Sequence, residues 1–172
     1  MPEVLDCREF VNADGIALGL SPFQPEKVAL EAGRIMLNRV DELLVRGETF
    51  ALKITLATRL YQQKIRAAQQ QGYNVVLLYF WLSSPQLAKK RVKTRVLEGG
   101  HFIAPEVIDR RYWLGITCLF DRYLPLADEA FIFDNSSGKP VPLAEKSGGS
   151  FSIIHNKLYH QLLNQYESGK TA

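Results

Sequence analysis

Apolar positions along this chain switch between two spacings, and the switches fall in an alternating order. Residues Glu9 to Ala13 read as a short strand that ends in the turn dipeptide Asp14-Gly15. From Glu26 to Arg46 the residues Ala29, Gly33, Met36, Val40 and Leu43 recur at helical spacing, and Gly47 supplies a stop. Thr49 to Thr55 is β-prone at Phe50, Ile54 and Thr55, and Thr58 to Gln71 follows as a polar-faced helix closed by Gly72. Asn74 to Leu82 is a nearly unbroken apolar run, as expected for a strand covered on both faces at the centre of a sheet. Ser84-Pro85 then starts a helix that runs through Arg95 to Gly99-Gly100, and Pro105 starts another, with Ile108, Tyr112, Ile116 and Leu119 on one face, that reaches about Tyr123. Ala130 to Asp134 is a further strand and Pro140 to Glu145 a short extended arm. Ser147 to Ser150 reads as a turn, and Ile154, Leu158, Leu162 and Tyr166 mark a terminal amphipathic helix.

Strands alternating with helices predict an α/β fold: a mostly parallel sheet with helices on both faces, in three layers. The chain has 172 residues, 47% of them apolar, which suits one domain spanning 1–172, with 147–172 as a linker and terminal helix. No internal repeat or low-complexity segment interrupts it.

A formal charge of +3 tolerates an anionic ligand but is too small an excess to announce nucleic-acid binding. Cys7 and Cys118 stand far apart, and His101, His155 and His160 form no ligand cluster, so neither a disulfide framework nor a structural zinc site is expected. The first residues lack a signal-peptide pattern and the run from Val75 to Leu82 is too short to cross a bilayer, which makes the cytoplasm the expected location.

Two groups of residues suggest phosphate chemistry. Asp14 lies just past a strand end, where α/β sheets place their ligands, and a carboxylate there can orient an accepting hydroxyl; equally, it can shape the Asp-Gly turn. Asn12 beside it can orient an acceptor or serve a local hydrogen bond. Arg91 and Arg95 share one helix face, with Arg110 and Arg111 beyond Gly99-Gly100-His101, an arrangement that suits a hinged lid over phosphates or a solvated basic face. His101 is either a phosphate contact or a helix-end residue. What is missing is the loop G-x-x-x-x-G-K-[ST], whose backbone N–H groups cradle phosphates. Gly169-Lys170-Thr171 is the nearest sequence, with Asn164 where the first glycine is required.

An ordered set of short motifs resembles the zeta-toxin-like P-loop kinases and related short bacterial proteins described as predicted ATPases. The pieces are Val11-Asn12-Ala13-Asp14, Gly19-Leu20-Ser21-Pro22, Ala32-Gly33-Arg34, Gly47-Glu48-Thr49-Phe50-Ala51, Gly99-Gly100-His101, Ile108-Asp109-Arg110-Arg111-Tyr112, Leu124-Pro125-Leu126-Ala127-Asp128 and Asp134-Asn135-Ser136. The resemblance implies a P-loop-kinase-like fold from which the N-terminal central strand and phosphate loop are missing. It also implies an ATP- or GTP-dependent kinase lineage working with Mg²⁺ and phosphorylating a hydroxyl, as of a nucleotide sugar, with an antitoxin-like protein as a candidate partner.

By the same resemblance Asp14 is the catalytic carboxylate, Asn12 and Thr55 contact the acceptor, and Arg95, Arg110 and Arg111 form the phosphate-binding lid, with no metal ligand assigned. Lys53 stands where the family has an acidic contact, and Leu114 and Cys118 where it has polar residues. These departures and the absent loop imply a truncated chain that binds no nucleotide tightly and is inactive as written. The alternative is a non-catalytic remnant that binds a ligand or a protein. Nucleic-acid binding through Lys89 to Arg95 is the weakest reading.

Overall fold

The computed structural model describes residues 7–100 and 102–170. The chain divides into two compact units, the first ending at Ile54 and the second starting at Thr55.

In the first unit, β1 (Glu9–Asn12) pairs in parallel with β2 (Phe50–Lys53), and the connection between them carries α1 (Ala13–Leu20), a 3-10 turn (Pro25–Val28) and α2 (Ala29–Arg46). The apolar stripe foreseen on α2 is its buried face: Ala32, Met36, Val40, Leu43 and Leu44 are all buried, as are Val11 of β1 and Ala17 of α1. Gly47 ends α2 in the left-handed conformation at φ 68°, and its N–H and that of Glu48 bond back to the last turn. The helix expected from Glu26 onward begins in 3-10 form because Pro25 supplies the first position and no side chain caps it.

Asp14-Gly15 is not a turn. The strand ends at Asn12, and Asp14 and Gly15 lie in the first turn of α1. The Asn12 side chain accepts the Asp14 backbone N–H at 3.1 Å, so the local hydrogen bond that could have made a tight turn instead starts a helix.

The second unit contains α3 (Tyr61–Gln70), β3 (Val76–Trp81), α4 (Pro85–Leu97), α5 (Pro105–Cys118), β4 (Glu129–Asp134), β5 (Val141–Ser147), β6 (Ser150–Ile153) and α6 (Asn156–Lys170). The α5 helix continues through a π-helical stretch (Leu119–Tyr123) and one short turn (Leu124–Leu126). Its four-stranded sheet runs in the order β3-β4-β5-β6, with β3 and β4 parallel and the remaining pairings antiparallel. The sheet is therefore mixed rather than mostly parallel, because the chain turns straight back twice, from β4 into β5 through a turn with Gly138 at positive φ and from β5 into β6 through Gly148 and Gly149, both at positive φ. The β5–β6 hairpin takes in the extended arm and the turn read from the sequence.

Trp81, Ile116, Leu119, Tyr123, Ile132, Leu143 and Leu162 are fully buried and make the core. The strand expected at the centre of the sheet, β3, stands at its end. Leu78 and Phe80 remain 38% and 46% exposed on one face, beside Phe131 and Phe133 of β4. An apolar run identifies a strand that can be covered on both sides; it does not by itself decide which strand is central.

Candidate functional site

The first group of candidates sits at the carboxyl ends of β1 and β2. Asn12 and Lys53 are the last residues of these strands and are partners in the parallel register, so both face the end of the sheet where α/β proteins bind ligands. Asn12 adopts extended geometry (φ −146°, ψ 117°) and caps α1. Two residues on, Asp14 is exposed at the start of that helix, where the backbone N–H groups favour a negative charge. The Lys53 ammonium lies 3.5 Å from Asp14 Oδ2, with both side chains more than half exposed. The residue that departs from the family pattern is thus the direct partner of the candidate catalytic carboxylate.

Thr55 follows β2 in sequence and is exposed at the start of the second unit. Arg95, Arg110 and Arg111 all belong to that unit, on α4 and α5, and all are exposed. None of the three guanidinium groups makes an ion pair or hydrogen bond with a described residue. His101 lies outside the described residues.

Other basic residues of the same stretch are committed. Arg91 donates to the backbone carbonyls of Asn135 and, at 3.3 Å, Ser136, and Lys89 pairs with Asp109 at 2.6 Å. The lid read from four arginines therefore has Arg95, Arg110 and Arg111 available while Arg91 holds a loop.

Gly99-Gly100 has a backbone explanation. Gly99 sits at φ 92°, and the Gly100 N–H bonds to the Arg95 carbonyl at 2.7 Å in so close an approach that a Cβ would fall 2.8 Å from that oxygen. This closes α4 tightly on Arg95.

No family model matches the chain. An uncharacterized protein of Haemophilus influenzae is 28% identical over 102 residues, which are 59% of this chain and 73% of that protein. Among solved structures, one from the PezAT chromosomal toxin-antitoxin system of Streptococcus pneumoniae superposes with a TM-score of 0.57 at 12% identity, covering 95% of this chain and 76% of the other. The α/β fold is related to that of PezAT.

Within this fold several motif pieces have structural duties. Asp134 receives the Ser136 backbone N–H at 2.8 Å and the Ser136 hydroxyl, while Ser136 Oγ accepts the Ser83 N–H at 2.8 Å, locking the loops after β3 and β4 together. Asp128 accepts the Val75 N–H at 2.8 Å and the Gln69 side-chain amide at 3.1 Å, and these hydrogen bonds to its charged form hold its carboxyl below the usual range. Lys146 donates to the carbonyls of Leu124, Pro125 and Ala127, satisfying the end of the helix before β4. Cys118 is 1% exposed, so its position serves packing.

Two further residues adjoin Arg110 and Arg111 without being site candidates in the sequence. Tyr112 lies with its hydroxyl 2.7 Å from the Leu82 carbonyl and 2.8 Å from Gln165 Oε1. Burial is the main cause that pushes its phenol up to about 12, so it stays a neutral donor. Gln165 on α6 had no signal in the sequence, because its partners lie about eighty positions earlier.

No helix among the described residues is long and apolar enough to cross a membrane, and these residues hold no cluster of three or more metal-ligating side chains.

Proposed function

We propose that the chain is a kinase-like phosphotransferase module of zeta-toxin type, retaining the acceptor side and the phosphate-facing arginines. The observation that carries this reading is the group Asn12, Asp14 and Lys53 at the carboxyl ends of two paired parallel strands, in a fold related to PezAT. Asp14 orients an acceptor hydroxyl, Asn12 and Thr55 contact the acceptor, and Arg95, Arg110 and Arg111 bind phosphate oxygens, for which planar guanidinium groups are suited. The acceptor is a small molecule bearing a hydroxyl, such as a nucleotide sugar, in a cytoplasmic setting, with an antitoxin-like protein as the macromolecular partner.

The residues do not fit a Mg²⁺-nucleotide. The 172 residues contain no glycine-rich Lys-Thr or Lys-Ser phosphate loop, and the described residues hold no cluster of three or more side chains suited to a metal ion. No step through ATP, GTP or Mg²⁺ is therefore derived, and we expect neither tight nucleotide binding nor efficient transfer.

The Lys53–Asp14 pair also favours a second reading, a non-catalytic binding module. The Lys53 ammonium occupies one side of the carboxylate and, being more than half exposed, can itself meet an anionic ligand. Calorimetric titration of the purified chain with ATP-Mg²⁺ and, separately, with a UDP-linked amino sugar tests both readings. Sugar-nucleotide binding without ATP turnover is expected. Micromolar ATP binding with turnover overturns the inactive assignment, and binding of neither ligand overturns the acceptor-side reading.

A further inference from the structure

Arg110 and Arg111 are consecutive on α5, and the residue on each side of the pair is tied down. Ahead of them, Asp109 Oδ2 pairs with Lys89 Nζ of α4 at 2.6 Å, through side chains that are more than one third exposed. Behind them, the Tyr112 hydroxyl reaches the Leu82 carbonyl just past β3 and Gln165 Oε1 of α6, at 2.7 and 2.8 Å. The Trp81 indole N–H donates to the same Gln165 oxygen at 3.0 Å, and Gln165 Nε2 donates to the Ser83 carbonyl at 2.8 Å.

Because an indole nitrogen can only donate, the oxygen of the Gln165 amide must face Trp81, which fixes the amide's orientation. Its nitrogen is then directed to Ser83, and its oxygen has a lone pair left for Tyr112. The phenol's single proton is shared between two acceptors at nearly equal distance. This network is partly buried and made of short hydrogen bonds, whereas the Lys89–Asp109 pair is open to solvent and screened by salt. Tyr112 is accordingly the stronger of the two stops on rotation of α5.

Successive helix residues are turned by about 100°, so the inward-facing Tyr112 sets the direction in which Arg111 and Arg110 leave the helix. We propose that Tyr112, held by Gln165, is a positioning residue that fixes the direction of Arg110 and Arg111 for a phosphate-class anion. The inference rests on the phosphate reading of those arginines given above. It adds a duty for α6, which supplies Gln165.

The test uses the full chain and inorganic tripolyphosphate as the probe, titrated by calorimetry at low ionic strength. Tyr112→Phe and Gln165→Ala each weaken binding by roughly 3- to 10-fold, the effect of losing one or two hydrogen bonds. In an Arg110→Ala/Arg111→Ala background the loss caused by Tyr112→Phe shrinks towards onefold, since the tyrosine acts through these two arginines. A purely structural role would lower the melting temperature and leave affinity unchanged in both variants, which overturns the proposal. An equal loss with and without the two arginines also overturns it. Absence of tripolyphosphate binding by the unaltered chain overturns the phosphate reading itself, and this inference with it. Circular dichroism of each variant shows that the fold is retained, and Gln165→Ala reaches the same network from another helix should Tyr112→Phe fail to fold.

Discussion

Lys53 and Asp14 close a 3.5 Å ion pair across the carboxyl ends of β1 and β2. With both side chains more than half exposed, the attraction is offset by solvation and by the freedom lost in holding a long lysine chain. Lys53→Met should therefore alter unfolding free energy by less than about 0.5 kcal/mol in a urea titration. The same change should weaken binding of an anionic acceptor. A large stability loss would mean that the pair holds the fold and is not poised for a ligand.

Asn12 combines two duties, and one is measurable without a substrate. Its side chain satisfies the Asp14 N–H at the head of α1, so Asn12→Ala should cost about 1 kcal/mol, as loss of a helix cap does. Asn12→Ser should recover most of that loss in the same denaturation experiment, and failure to recover would show that the cap is not the source.

Gly100 is required by space more than by backbone angle. A Cβ would stand 2.8 Å from both the carbonyl oxygen and Cγ of Arg95, and the carbonyl cannot move without opening the end of α4. Gly100→Ala should destabilise by about 1–3 kcal/mol, the usual cost of overpacking, and increase hydrogen exchange at the Gly100 amide. An unchanged exchange rate there would count against this account.

The pH dependence should have two limbs of opposite sign. The Tyr112 phenol is raised from 10.0 to about 12, so its contribution to stability is complete below pH 10 and is lost as pH climbs towards 12. Asp128 is lowered from 3.8, so its contribution is present above that value and is lost as pH falls below it. Tyr112→Phe should make the alkaline limb of a melting-temperature profile shallower without abolishing it, because burial also raises the phenols of Tyr61, Tyr79, Tyr123 and Tyr159, and Asp128→Asn should make the acid limb shallower, each leaving the other limb in place.

The end strand β3 contributes the uncharged sequence VLLYFW, with Val76, Leu78 and Phe80 at 47%, 38% and 46% exposure. Strands at sheet ends ordinarily carry a lysine, a proline or a bulge that discourages further pairing. Leu78→Lys should lower self-association in sedimentation velocity, with little loss of secondary structure. If the chain is monodisperse before the change, this strand is not an association surface.

The periodic elements were legible because local chemistry decides them. Pro85 and Pro105 begin their helices, Gly47 and Gly72 end theirs at positive φ, and the stripe through Met36, Val40 and Leu43 is the buried face of α2. The failures occurred where two local signals competed or where a partner was distant. Asp14-Gly15 has turn chemistry, but the Asn12 side chain captured the backbone for a helix. The strand Ser150–Ile153 is short, exposed and half serine, so only the preceding Gly148-Gly149 marked its hairpin.

At the site, the arginines were visible by composition, but nothing along the chain distinguished Arg91, which is bound to the carbonyls of Asn135 and Ser136, from Arg95, which is not. Lys53 was noticed as a departure from a pattern. That it meets Asp14 follows from strand register, which only the folded chain displays.

Gln165 is translated some eighty codons after Trp81 and Ser83, and fifty after Tyr112, yet it joins all of them. During synthesis the arginine-bearing helix exists for most of that interval without its latch. A chain that stops before Gln165 would carry every basic residue of α4 and α5 and none of the bonds from Gln165 proposed to aim Arg110 and Arg111, so a helix made later completes a surface built much earlier.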